Sequence, residues 1–179
     1  FISTKDYLMK KSRAVFITVI GLTALTTVAA NAHVEFSPDS APANKKVSLS
    51  IMVPHDCNNK TKTTEIKMQL PANLDTKSFV AGALYQSGKI VATWKQSILK
   101  AGGKNYLDIK GPALQAGPDM GKNAFTVKFS FTTPKAAGTQ LKFPTVQYCA
   151  DGTSTSWIQP RPTNGAEPSE MSKPVPVLN

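Results

Sequence analysis

The sequence predicts an all-β protein, an antiparallel β-sandwich of immunoglobulin-like type with about seven or eight strands. Three observations predict it: short segments in which apolar and polar residues alternate, turn signals recurring every 8 to 15 residues, and no convincing amphipathic helix. Nothing repeats internally, and one domain accounts for the length.

The first 32 residues stand apart from that pattern. Lys10, Lys11 and Arg13 precede a largely apolar run from Ala14 to Ala30, and Ala30-Asn31-Ala32 supplies the small residues of a cleavage site. Residues 1–32 therefore read as a secretory signal peptide cut after Ala32, with those before Met9 as an upstream start-site artefact. The remaining 179 − 32 = 147 residues suffice for one soluble domain with its own core.

Residues 33–38 are expected to form a first strand that turns through Asp39 to Asn44 into a second, where Val47, Leu49, Ile51 and Val53 alternate with Ser48, Ser50 and Met52. Ile66, Met68 and Leu70 repeat the alternation up to Pro71. A weaker pair covers about Lys89 to Leu99 and Asn105 to Ile109, around the turn at Ala101-Gly102-Gly103. A loop rich in Gly and Pro follows from Gly111 to Gly121. Phe125, Val127, Phe129 and Phe131 then make the cleanest alternation, Leu141 to Cys149 the next strand, and Ala150-Asp151-Gly152-Thr153 a hairpin into Ser154 to Ile158. The sandwich domain is expected to span 33–160, with 161–179 an extended proline-rich tail. Trp94 is expected in the core, away from the N-terminal end.

The formal charge of +10 becomes 10 − 4 + 1 = +7 without the four basic and one acidic residues before His33. No arginine cluster or basic-aromatic interleaving accompanies it, so nucleic acid is not an expected partner and the lysines read as a solvated exterior. A membrane is expected to be engaged only through the uncleaved signal peptide. The two cysteines, Cys57 and Cys149, most simply form one disulfide in an exported chain. The alternative is a thiolate metal site that includes His55-Asp56-Cys57.

Cleavage after Ala32 would make His33 the first residue, and its freed α-amine and imidazole could chelate one metal ion. Nitrogen donors of this kind suit Cu(II). Antiparallel pairing of the first two strands would place His33 opposite about Val53 to His55. The disulfide would hold Cys149 beside Cys57, and the last hairpin would return Trp157 opposite about Val146. Glu35, on the face of His33 if that segment is extended, or Asp56 could add a carboxylate, and His55 a second imidazole.

His33-Val34 with Pro38, Val53-Pro54-His55-Asp56-Cys57, Val146-Gln147-Tyr148-Cys149 with Asp151-Gly152, and Trp157-Ile158-Gln159-Pro160 together resemble the YcnI-like domain family. The resemblance covers nearly the whole chain after Ala32. It implies export, a cupredoxin- or immunoglobulin-like sandwich and a place in copper acquisition, trafficking or homeostasis alongside other copper-handling proteins. It also implies a Cu(II) site at His33, a single-histidine brace, with Trp157 close by. Many members carry an acidic residue before Phe-x-Phe on the long aromatic strand as a further ligand, where this chain has Lys128 before Phe129-Ser130-Phe131. The expected function is thus a non-enzymatic, periplasmic or secreted copper-binding protein. The competing readings are a copper-dependent polysaccharide monooxygenase, which would need His55 as second imidazole, and a metal-free structural sandwich.

Overall fold

The computed structural model describes residues 33–53, 57, 61–115, 124–162 and 173–179; the expected signal peptide lies outside them. In chain order the strands are β1 (Glu35–Ser37), β2 (Lys46–Val53), β3 (Thr63–Gln69), β4 (Val80–Gln86), β5 (Lys89–Ile90) and β6 (Lys95–Ala101). There follow β7 (Lys104–Leu114), β8 (Phe125–Thr132), β9 (Leu141–Lys142), β10 (Thr145–Cys149), β11 (Ser154–Trp157) and β12 (Val177–Leu178). One five-stranded sheet has the order β1-β2-β8-β4-β5 and the other β11-β10-β3-β7-β6, with β12 and β9 forming a two-stranded ribbon. Every strand pair is antiparallel, so the expected sandwich is what forms, with more strands than anticipated.

The alternation read from β2 and β8 is the packing of their sheet. Leu49, Ile51 and Val53 pair with Phe129, Val127 and Phe125, and all six are buried against the second sheet. Ile66 and Met68 of β3 pair with Ile109 and Leu107 of β7 on the facing surface. Each such side chain contributes roughly 1.5 to 3 kcal/mol by leaving water. Aromatic contacts join the layers at one flank, where Phe36 of β1 meets Phe143 with ring centroids 4.7 Å apart and Phe129 at 6.3 Å.

Turn chemistry places the hairpins. Gly102 and Gly103 have φ of 55° and 74°, the two left-handed positions of a tight β6–β7 turn, which other residues adopt only at a steric cost. The expected segment from Lys89 to Leu99 divides, β5 joining the first sheet and β6 the second. A turn closed by Trp94 N–H donating to the Val91 carbonyl separates them. Trp94 is buried, as expected, with its Nε1 donating to the Pro112 carbonyl at 3.1 Å. It packs on Phe125, however, whose partner Val53 ends β2 at the N-terminal end of the sheet, so Trp94 is not remote from that end.

Three further expectations need correction. The Gly- and Pro-rich loop begins later, because β7 continues through Gly111 and Pro112 to Leu114. Between Leu141 and Cys149 the strand is interrupted: Pro144 has no N–H to donate, and its carbonyl instead accepts from Gln69. The end of the chain is not a loose tail. Pro174 to Leu178 are all buried, and β12 pairs Leu178 with Leu141. Hydrogen bonds tie this segment to Gln159, to Phe143 and to the Asp39–Ala41 turn after β1. Val175, Val177 and Leu178 supply the apolar surface that makes the docking favourable.

Candidate metal centre

His33 lies just before β1, at a bend, and is buried at 6 % exposure. β1 pairs with β2 in the register Glu35 to Met52, Phe36 to Ile51 and Ser37 to Ser50. Continued by one position, that register brings Val34 level with Val53, so His33 enters at the end of β2 where the sequence placed it. Glu35 is half-buried on the face opposite Val34 and Phe36, but the bend at His33 means regular strand geometry does not carry its side-chain direction back to His33. His55 and Asp56 lie outside the described residues, so the second imidazole and the carboxylate beside it have no described position.

The disulfide expected from the cysteine count is present, Cys57 to Cys149 with Cα atoms 5.4 Å apart, and there is no free thiol for a thiolate site. It fixes the relation of the two sheets. Cys57 follows β2 and Cys149 ends β10, so β2 lies over β10; β1 and β11 are then the edges of the same flank. The Phe36–Phe143 contact sets their relative height. His33 is three residues toward the disulfide end from Phe36, and Thr145, the partner of Trp157, is two residues the same way from Phe143. His33 and Trp157 therefore arise at similar heights on facing edges.

One detail differs from expectation. Trp157 pairs with Thr145, one residue from Val146, which puts it four residues, roughly 13 Å at strand spacing, from Cys149. Its indole is fully buried. The hairpin that returns it is held by Asp151, whose carboxylate accepts from the N–H and hydroxyl of Thr153 at 3.0 and 2.7 Å. Those two donors hold the Asp151 carboxyl below the usual carboxylate range.

Lys128 is not beside His33. Through the rung Ser37–Ser50–Lys128 it stands level with Ser37, four residues along and two strands across from His33, roughly 13 Å and 10 Å. Its ammonium lies 4.5 Å from the centre of the Tyr85 ring, on the side away from β1. The residue type at 128 therefore does not decide what reaches His33.

A group of residues that alternation alone did not single out lines this flank. On β10, β11 and the start of β3, the inward positions are Thr145, Gln147, Thr155 and Thr63, all at most 2 % exposed. The Gln147 amide donates to the Thr63 hydroxyl at 2.6 Å, and the Gln147 carbonyl lies 3.7 Å from Cys57 Sγ. Four of the seven buried polar side chains among the described residues lie here. The visible signal was that Thr145, Gln147 and Cys149 occupy alternate positions where a core strand usually carries Val, Ile or Leu.

As a metal cage the described residues are incomplete without a chain terminus. Among them, no group of three or more His, Cys, Asp or Glu side chains converges. A cleaved His33 would supply two nitrogens from one residue, and that donor set fits copper without a third side chain from such a group. Among the described residues, no helix is long and apolar enough to cross a membrane.

Comparison with known proteins agrees with this architecture. An uncharacterized protein from Nocardia farcinica with an immunoglobulin-like fold superposes with a TM-score of 0.57 at 21 % identity, covering 82 % of this chain and 96 % of that one. More distant likenesses include the Corynebacterium diphtheriae major pilin SpaA (TM-score 0.43, 16 % identity, 76 % and 33 % covered). Another is the collagen-binding subdomain ACE19 of an Enterococcus faecalis surface protein (TM-score 0.38, 11 % identity, 82 % and 92 % covered). No curated protein matches the chain. The family described as a domain of unknown function, DUF1775, matches residues 33–179, from His33 through β12. Sandwich, disulfide and His33 thus fall inside one match, and the chain belongs to the DUF1775 family, in which the YcnI-like domains are catalogued.

Proposed function

We propose that this protein is exported and holds Cu(II) outside the cytoplasm through the α-amine and imidazole of His33, as a carrier or store in copper acquisition and homeostasis. The observation that carries the proposal is the coincidence of three positions at one residue. His33 directly follows the small residues of a cleavage site, opens the family match, and stands at the head of β1 on the flank shared with Trp157. Five-membered or larger chelation by two nitrogens of one residue needs no general base and no preformed cage. Glu35, half-buried two residues on, is the nearest carboxylate in sequence. The polar inner faces of β10 and β11 make this flank tolerant of a charged cargo in a way an aliphatic wall would not be. Export is supported by the disulfide, which persists in oxidising compartments.

The test compares protein beginning at His33 with the same protein whose His33 α-amine has been acetylated. Titration with Cu(II), read by electron paramagnetic resonance and calorimetry, should give one nitrogen-coordinated site in the first and at least a hundredfold weaker binding in the second. Affinity should fall as pH is lowered, since both donors must shed a proton to bind. Equal affinities for the two forms would refute the role of the terminus.

A further inference from the structure

The lysines of this protein are not spread evenly. Take the end of the sandwich opposite His33, where β2 begins and β8 ends. Lys45 and Lys46 open β2 there, and Lys135 follows β8, next to Pro134, whose carbonyl accepts from Asn44 N–H. Lys142 of β9 precedes Pro144, which is bonded to the far end of β3. Lys77 sits on the single 3-10 turn Thr76–Ser78, held to the end of β8 by the Ser78 hydroxyl accepting from Thr132 N–H. Lys100 and Lys104 flank the β6–β7 turn at the same end. All seven are exposed, and the carboxylates described at this pole are Asp39 and Asp75. Toward the His33 pole the described lysines Lys62, Lys89, Lys95 and Lys110 are accompanied by the carboxylates of Glu35, Glu65 and Asp151.

Beside the turn that carries Asp39, at the centre of the basic pole, a shallow hollow of about 240 Å³ is lined by Ala41, Pro42, Ala137, Leu141 and Leu178. We propose that this pole docks on the anionic headgroup plane of a lipid bilayer, the lysines contacting the surface and the His33 end facing away from it.

The arrangement suits a plane better than a linear polyanion. The ammonium groups issue from strand ends and turns across both sheets and the β9 ribbon, a two-dimensional spread with no groove for a strand to follow. They are lysines without interleaved aromatic rings or arginines, which stacking on nucleic acid would use. Near an anionic leaflet each lysine contributes about fivefold in partitioning, so a cluster of this size suffices for reversible binding at low salt. The docking does not depend on copper.

Protein beginning at His33 would be sedimented with vesicles of phosphatidylcholine containing 30 mol % phosphatidylglycerol, and with pure phosphatidylcholine, at several salt concentrations. Binding is expected to the first only, weakening as salt rises. Lys45→Glu with Lys46→Glu should lower partitioning at least tenfold. Lys62→Glu with Lys89→Glu, the same charge change at the other pole, should lower it less than twofold. Both pairs are exposed, and matching thermal unfolding of the variants and the parent would exclude misfolding as the cause. Equal losses from the two pairs, equal binding to neutral vesicles, or tight binding to soluble dextran sulphate without vesicle binding would each overturn the proposal.

Discussion

Replacing both cysteines tests how much of this fold depends on the link between its sheets. The bridge joins positions 92 residues apart, so it closes most of the domain into one loop. In the chain-entropy description such a loop removes about 16 cal/mol/K from the unfolded ensemble, or about 4.6 kcal/mol at 25 °C. Alanine is the suitable replacement, because Cys57 and Cys149 are buried and serine would add an unpaired hydroxyl. A domain of this length has an unfolding entropy of about 0.3 kcal/mol/K near its midpoint, so that loss corresponds to roughly 15 °C. Cys57→Ala with Cys149→Ala should therefore unfold some 15 °C below the parent and at a lower urea concentration. Reduction of the parent by a dithiol, verified by titrating two thiols in denaturant, should bring it to the same midpoint. A double variant within about 1 kcal/mol of the parent would refute the reasoning, showing that packing alone fixes β2 over β10.

Leu178→Ala should cost about 2 to 5 kcal/mol, measured by urea unfolding, because the side chain is 1 % exposed against Leu141; a loss below 0.5 kcal/mol would mean that the last strand is not docked. Gly111→Ala should destabilise by about 1 to 3 kcal/mol and shift Trp94 emission, since an added Cβ would stand 2.6 Å from Trp94 Cδ1. At alkaline pH, Lys67 should matter slightly. Its ammonium donates to the Glu65 carboxylate at 2.7 Å, and that bond, aided by the nearby charges of Glu65, Tyr148 and Asp108, holds it above the usual lysine range. A raised pKa gives stability that is complete below the unfolded lysine value and is lost as pH rises through the folded one. With the pair about a quarter to a third exposed the effect should stay under about 1 kcal/mol. Unfolding midpoints followed from pH 9 to 11.5 should fall less for Lys67→Met than for the parent, and identical slopes would contradict this.

Much of the sandwich could be read from residue order because its central strands are buried on one face only. β2, β3 and β8 alternate cleanly for that reason, and the Gly102–Gly103 and Asp151–Gly152 turns are local chemistry. β4 was not anticipated. Its sequence Val80-Ala81-Gly82-Ala83-Leu84 has no clear period, and its pairing with β8 shifts register between Ala81 and Leu84, which interrupts the alternation a strand would show. β12 was missed because two residues carry no period, and its burial comes from partners 35 and 37 positions away in the chain, Lys142 and Leu141. At the candidate centre, the β1–β2 pairing and the disulfide were legible. The height of Trp157 was misjudged by one residue, as hairpin register depends on a turn geometry that residue types constrain only in part. The remoteness of Lys128 from His33 could not be read at all, since it depends on two registers, β1–β2 and β2–β8, acting together.

The docking of Lys173–Asn179 against the Asp39–Ala41 turn and against Gln159 has a kinetic side. β1 is three residues long and gains its outer support from a segment made some 140 residues later, so its final environment cannot assemble until that segment has been made. Contacts spanning nearly the full length form late, after the entropy of closing the largest loop has been overcome. A nascent chain of this kind stays without its finished first strand until Val177 and Leu178 have emerged.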